Sequence, residues 1–266
     1  ITFGELMLRL SPDNNERFTQ AHSYEAVYGG GEANTAVSLA NFNVDTRYVT
    51  KLPNHTIGQS AVNSLRQYGV DVSRIVRGGD QIGIYFLEKK TSQRPTNVIY
   101  NRNGSAFALA TKEDFDWNSI FEGATWFHFS GITPAISDNM AEITIEACKE
   151  AKKRNITVSC DLNYRSKLWS SEKANKVMSE VCKYVDICIA NEDDAVGIFG
   201  MDASKSDKEK NAYIAEELTK MFPNFKMVAS VWRTETSITT FKLQSMIYTD
   251  GKAYYSQEFF MNILDY

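Results

Sequence analysis

An α/β fold built on a mostly parallel sheet is the class this sequence predicts, and three observations predict it. From about residue 120, short apolar runs alternate with amphipathic helical patterns. Three consecutive glycines stand between a strand-like run and a helical one. Two earlier stretches, about 6–28 and 82–102, carry strand alternation with no helix inside them. At 266 residues, 43% hydrophobic and 23% charged, the chain is long enough for one sizeable domain with a small appendage.

Taken in order, the chain opens inside a strand, ITFGE, with no methionine. In VYGGGEANTAVSLANF (27–42), Ala33, Ala36, Val37, Leu39 and Ala40 follow the glycines at helical spacing. Gly29-Gly30-Gly31 therefore sits at a strand-to-helix turn. Such glycines let a ligand touch the backbone, and a tight turn without a ligand has the same composition. GIYFLEKK and TNVIYNRN read as strands of a small β-sheet lying beside or over the main domain. No linker separates the parts, so 1–266 reads as a single domain. Then come the strand ATWFHFSG, the helix DNMAEITIEACKEAKKRN, the strand ITVSCDLN, the helix SEKANKVMSEVCKY, the strand VDICIAN, the helix KEKNAYIAEELTKMF and the strand KMVASVW. Functional residues of such sheets collect at the strands' carboxyl ends. The candidates there are Ser130-Gly131, Asp161 to Arg165, Asn191 to Asp194, and Ser230 to Arg233.

A net charge of -4 argues against nucleic acid or an anionic membrane as the main partner. No apolar run approaches membrane-spanning length and no secretory leader is evident, so a cytoplasmic location is expected. Cys148, Cys160, Cys182 and Cys188 form no CxxC pair and read as buried, reduced thiols. His22, His55 and His128 lack metal-ligand spacing, and His128, inside a strand pattern, reads as structural.

The arginines carry the most chemical information. VIYNRNGSA places Tyr100 and Arg102 on one side of a strand by the period-two rule, and CDLNYRSKLW presents Asn163, Tyr164 and Arg165 after a buried strand. Two guanidinium forks suit an anionic ligand such as a carboxylate or phosphate; surface ion pairing is the other reading. Asp161 suits a metal or hydroxyl ligand, or a loop cap. Glu192-Asp193-Asp194 begins a helix, which favours capping over a magnesium role.

Beyond spacing, the chain resembles the ribokinase-like (PfkB) family of sugar kinases, and within it the 2-keto-3-deoxygluconate kinases. The resemblance covers nearly all 266 residues and rests on FGELMLRLSP, YGGGEANTA, KLPNHTIGQSAVNSLRQYGVD, GIYFLEK, RPTNVIYNR, FHFSGITPAIS, VSCDLNYRSKLW and ANEDDA. It implies a three-layer sandwich with a mostly parallel central sheet and a small β-sheet lid. It also implies ATP- and Mg2+-dependent phosphorylation of 2-keto-3-deoxygluconate. By the resemblance, the stretch from Gly30 through Gly31 to Asn34 contacts substrate hydroxyls, and Tyr85, Tyr100 and Arg102 close over the sugar acid. Arg165 meets its carboxylate or the nucleotide phosphates. Asn163, Asn191, Ser230 and Arg233 border the nucleotide, and Asp194 lies near the metal. A homo-oligomer is implied, with the lid as a candidate pairing surface. A neutral-sugar kinase for fructose or ribose, or a non-catalytic sugar-acid binder, are the alternatives.

Three departures stand out. Asn43 ends the first helix where the family has Gly, which suits an asparagine in the left-handed conformation. Pro53 replaces a second Gly. The N-x-x-E pattern ends in the shorter Asp194. The family's second signature, a glycine turn carrying the catalytic aspartate, is expected beyond Tyr266, and Asp265 matches only the aspartate upstream of that turn.

Overall fold

The computed structural model describes residues 1–262 apart from 92, 203, 205, 206 and 238, with the side chains of 207–209 also excepted. Asp265 and Tyr266 lie outside the described residues. The chain divides into two compact units, Ile1–Glu122 and Gly123–Asp265.

The first unit contains β1 (Thr2–Phe3), β2 (Met7–Pro12), β3 (Tyr24–Gly29), α1 (Gly31–Asn41), β4 (Tyr48–Val49), β5 (Lys51–Leu52), α2 (Thr56–Arg66), β6 (Val76–Arg77), β7 (Ile84–Glu88), β8 (Asn97–Asn101) and α3 (Trp117–Ile120). Strands β1 and β4 pair in parallel, as do β5 and β6. A separate four-stranded sheet runs in the order β3-β2-β7-β8, and its strands come from the two stretches whose alternation has no helix between. Leu6, Ala33, Ala36, Tyr48, Leu52 and Leu65 belong to one core cluster, against which Leu8, Tyr28 and Ile84 of the small sheet pack. Helix α1 ends as its sequence suggests: Asn43 takes the left-handed conformation at φ 59° and its N–H donates to the Ala40 carbonyl at 2.9 Å.

The second unit contains β9 (Trp126–Ser130), α4 (Ile132–Ala135), α5 (Asp138–Lys153), β10 (Thr157–Asp161), α6 (Ser171–Cys182), β11 (Ile187–Ile189), α7 (Glu192–Phe199), α8 (Asp207–Met221), β12 (Met227–Glu235), β13 (Thr240–Thr249), β14 (Lys252–Tyr255) and β15 (Phe259–Asn262). Strands β9, β10, β11 and β12 are parallel neighbours in that order. Their helices begin on side-chain caps: Ser137 accepts from the Met140 N–H, and Ser170 from the Lys173 N–H. On α5 the buried positions Met140, Ile143, Thr144, Ala147, Cys148 and Ala151 recur at three- and four-residue spacing, the apolar stripe that packs a helix on a sheet. All four cysteines are free and buried.

After β12 the parallel pattern stops. Only Met227, Val228 and Ala229 pair with β11, while Val228–Glu235 pairs antiparallel with β13, to which β14 and β15 add. The connection, residues 236–239, is too short for a helical crossover, so the next strand has to run back. TETSITT, a short polar stretch between two apolar alternations, is the sequence signal of that hairpin. No helix among the described residues is long and apolar enough to cross a membrane.

Beneath the sheet, Asp186 accepts from Lys152 Nζ at 2.8 Å and from the Val158 N–H at 2.9 Å. Burial alone would raise its carboxyl, but these donors together with Lys226 hold it below the ordinary range. His128 is half-buried on β9, with Nδ1 2.9 Å from Ser159 Oγ, which also accepts from Trp126 Nε1 at 2.8 Å. Burial pushes its imidazole from 6.5 down to about 4. The unfolded chain therefore takes up a proton in that window that the folded chain refuses, and stability falls as the pH drops through it, by at most about 1.4 kcal/mol per pH unit. Denaturation midpoints measured from pH 7 to pH 4 should fall more steeply for the wild type than for His128→Gln. Parallel profiles would show that His128 is not the group responsible.

Candidate active site

On the first unit, the glycine turn joins β3 to α1. Gly30 is extended (φ -177°), a conformation open to any residue, yet a Cβ there would stand 2.2 Å from the Glu5 carbonyl oxygen. Glycine at 30 is thus required by the close approach of two backbones. At Gly31 a Cβ would meet nothing within 4 Å, so the space over the first residue of α1 is open. Gly31 and Asn34 are both exposed and share a helix face, while Glu32 and Ala33 turn inward. A Cβ at Gly29 would lie 3.4 Å from the Tyr85 hydroxyl and 4.0 Å from Asn34 Oδ1, which brings those two polar groups over the turn. Tyr85 is the cross-strand partner of Tyr100, and their ring centroids are 5.9 Å apart.

Arg102 follows the last residue of β8, its guanidinium 5.9 Å from the Tyr100 ring centroid. It is not a free cation. It is buried, and it donates from Nε to Glu5 Oε2 at 2.8 Å and from Nη2 to the same oxygen. Ser105 Oγ donates to the other oxygen, Oε1, at 2.6 Å. Glu5, 97 residues away, supplies the counter-charge to this candidate residue. Pairing was weighed from the sequence only as a surface event, because separation of that size hides the partner. Glu5, which no local pattern singles out, is the residue that sequence reasoning misses here.

On the second unit, the loop after β10 carries Asn163, Tyr164 and Arg165. Asn163 is left-handed at φ 39° and its Nδ2 lies 3.4 Å from Asp161 Oδ2. The Tyr164 N–H donates to Asp194 Oδ1 at 2.6 Å, and its hydroxyl lies 3.1 Å from Ser171 Oγ. Its ring fills the place of a side chain at Gly197, where a Cβ would stand 2.5 Å from Tyr164 Cδ1. The loop is thereby pinned on both sides of Arg165, which is exposed and has no ion-pair partner among the described residues. Gly197 is a second residue that only the packing reveals.

Three candidates on this unit have protein partners of their own. Asp194 is buried and forms a capping box with Asn191: its Oδ2 accepts the Asn191 N–H at 3.1 Å, and Asn191 Oδ1 accepts the Asp194 N–H at 2.9 Å. Burial raises its carboxyl, opposed by the Tyr164 and Asn191 N–H groups and by the Arg165 charge. Both oxygens are engaged by backbone donors, a geometry that serves capping and loop anchoring. Ser230 is buried and its hydroxyl donates to the Ala190 carbonyl at 2.6 Å, which ties β12 to the end of β11. Arg233 does not stand at a strand end, since β12 continues to Glu235; its guanidinium rests 4.4 Å from the Phe241 ring centroid. Asn191 keeps an exposed position at the end of β11. Among the described residues no group of three or more His, Cys, Asp or Glu could hold a metal ion.

Residues 1–224 match the family model for pfkB family carbohydrate kinases. Among solved structures, 2-dehydro-3-deoxygluconokinase from Thermotoga maritima superposes with a TM-score of 0.95 at 46% identity, over 99% of this chain and 80% of that one. The 2-dehydro-3-deoxygalactonokinase of Haloferax volcanii is 37% identical over 204 residues, which is 76% of this chain and 63% of that protein. A 2-dehydro-3-deoxygluconokinase of Bacillus subtilis is 28% identical over 174 residues, 65% of this chain and 53% of that protein. The chain thus spans less than two thirds of the length of these two curated relatives.

The Glu5–Arg102 pair generates a stability prediction. Glu5→Gln should destabilise the protein by about 3–5 kcal/mol, because it leaves a buried guanidinium without its counter-charge, whereas Glu5→Leu with Arg102→Met should lose much less. Urea unfolding of both variants checks this, and a double variant as unstable as the single would mean that packing, not charge compensation, sets the cost.

Proposed function

The chain belongs to the pfkB family of carbohydrate kinases, and on that premise we propose that it transfers the γ-phosphoryl group of ATP to the 6-hydroxyl of 2-keto-3-deoxygluconate. The likeness to a solved 2-dehydro-3-deoxygluconokinase over 99% of the chain is the observation that supports this most. The residues present suit the substrate. The open space at Gly31, bordered by exposed Asn34, offers helix-start N–H groups and an amide to sugar hydroxyls. Tyr85 and Tyr100 supply an aromatic wall with hydroxyl tips, and the small sheet that carries them acts as a lid over the bound acid.

Charge guides the proposal for the carboxylate. Since Glu5 neutralises Arg102, Arg165, exposed and without an ion-pair partner among the described residues, is the cation proposed to meet the acid or the phosphates of the nucleotide. Asn163 and Asn191, at the carboxyl ends of β10 and β11, are proposed to border the nucleotide, as open α/β sheets place ligands at such ends. Magnesium, when bound, neutralises phosphate charge. The described residues offer it no carboxylate cluster, so it is proposed to enter on the phosphates of ATP. A cytoplasmic homo-oligomer completes the proposal, with the lid as the pairing surface.

ADP release by the full-length protein with MgATP should occur with 2-keto-3-deoxygluconate or its galactonate epimer and not with fructose or ribose. Turnover of fructose or ribose alone would overturn the assignment. Arg165→Ala should raise KM for the keto acid about tenfold or more, as loss of a charge-assisted contact implies. A rise confined to the KM for ATP would move Arg165 to the phosphates. Arg102→Ala is the poorer probe, because it also strands Glu5.

A further inference from the structure

The small sheet carries a further arginine, Arg9, whose ion pair is long and which the chemistry above does not use. Arg9 on β2 is the register partner of Tyr85 on β7, which in turn pairs with Tyr100 on β8, so the three side chains stand in a row on one face of the sheet. Its only carboxylate neighbour among the described residues, Glu25, is 3.8 Å from Nη2, too far for a hydrogen bond, and its buried Nε has no protein partner. The guanidinium is therefore not locked by an acid as Arg102 is. Tyr85 is its register partner on the neighbouring strand.

We infer that Arg9 is a positioning residue, which donates to the Tyr85 oxygen and so turns the phenolic proton toward the space over the glycine turn, where it serves as a donor to the sugar acid. The chemistry is one-directional. A guanidinium can only donate, so a phenol oxygen that accepts from Arg9 has its own proton left for another acceptor. That hydroxyl already faces the ligand side, 3.4 Å from where a Gly29 Cβ would be and close to Asn34 Oδ1. Burial raises the phenol's pKa, the Arg9 charge and its hydrogen bond oppose that rise, and Tyr100 adds to it. A phenol polarised by an adjacent cation is the better donor to a carboxylate or keto oxygen. The inference rests on the proposed sugar-acid kinase only for the identity of the acceptor.

The test compares full-length wild type, Arg9→Met, Tyr85→Phe and the double variant. In protein labelled with 13Cζ-tyrosine, the Tyr85 resonance is assigned by its loss in Tyr85→Phe. In Arg9→Met that resonance should shift and its ionisation should move to higher pH; a resonance and titration identical to wild type would overturn the inference without reference to any substrate. With MgATP and keto acid, Arg9→Met and Tyr85→Phe should each lower kcat/KM about tenfold, chiefly through KM for the acid, as loss of one charge-assisted hydrogen bond implies. The double variant should be no worse than Tyr85→Phe. Losses that multiply in the double variant would show that Arg9 acts without Tyr85, and would sink the idea. Should Arg9→Met fail to fold, Arg9→Lys provides the same comparison, with a smaller shift expected. Absence of keto-acid turnover in the wild type counts against the proposed function alone, because the resonance still decides what Arg9 does.

Discussion

The buried carboxylate of Glu5 is the constraint on which the glycine-turn unit, Ile1–Glu122, depends. Residue 5 sits between the first two strands, its carbonyl against Gly30 and its side chain against Arg102 and Ser105. One residue therefore gauges the distance between the glycine turn and the end of β8. A charge withdrawn from water is tolerated only when its counter-charge and hydrogen bonds are complete, and here both oxygens are occupied. The glycine requirement at residues 30 and 83 follows, because a Cβ at Gly83 would stand 2.5 Å from Glu5 Oε1.

The second unit repeats the device with a different carboxylate. Asp194 gives both oxygens to backbone N–H groups, one at its own helix start and one in the loop after β10. The helix α7 is capped and the loop is registered on it by the same side chain. Tyr164, seated on Gly197, braces the other side. In both units a buried acid organises the backbone, and Tyr100 and Arg165 stay exposed. Removing the acid would disturb position before it disturbed chemistry, which separates these residues from groups that touch a substrate.

This division of labour explains how far a local pattern reaches. Gly30, Gly31, Asn34, Tyr85, Tyr100, Asn163 and Arg165 sit in short stretches whose residue types suggest ligand contact, and they lie beside turns or strand ends in the structure. Ser230, Arg233 and Asp194 sat in equally suggestive stretches, yet their side chains serve Ala190, Phe241 and the backbone. A local pattern states where a side chain hangs on the chain and not what lies opposite it. Burial and partner decide that.

By itself, the sequence determined the alternation of strands and helices, the strand-to-helix glycine turn, the left-handed Asn43 and the small separate sheet. Each follows from local sterics or from a period of 2 or 3.6 residues, and needs no knowledge of distant contacts. Only the tertiary structure decided that Arg102 is neutralised, that Arg165 has no ion-pair partner among the described residues, that β12 turns back antiparallel, and that Arg9 stands beside Tyr85. The physical reason is the same in each case. Electrostatic compensation and strand register join residues far apart in the chain, and a carboxylate 97 positions away leaves no mark on the stretch it controls.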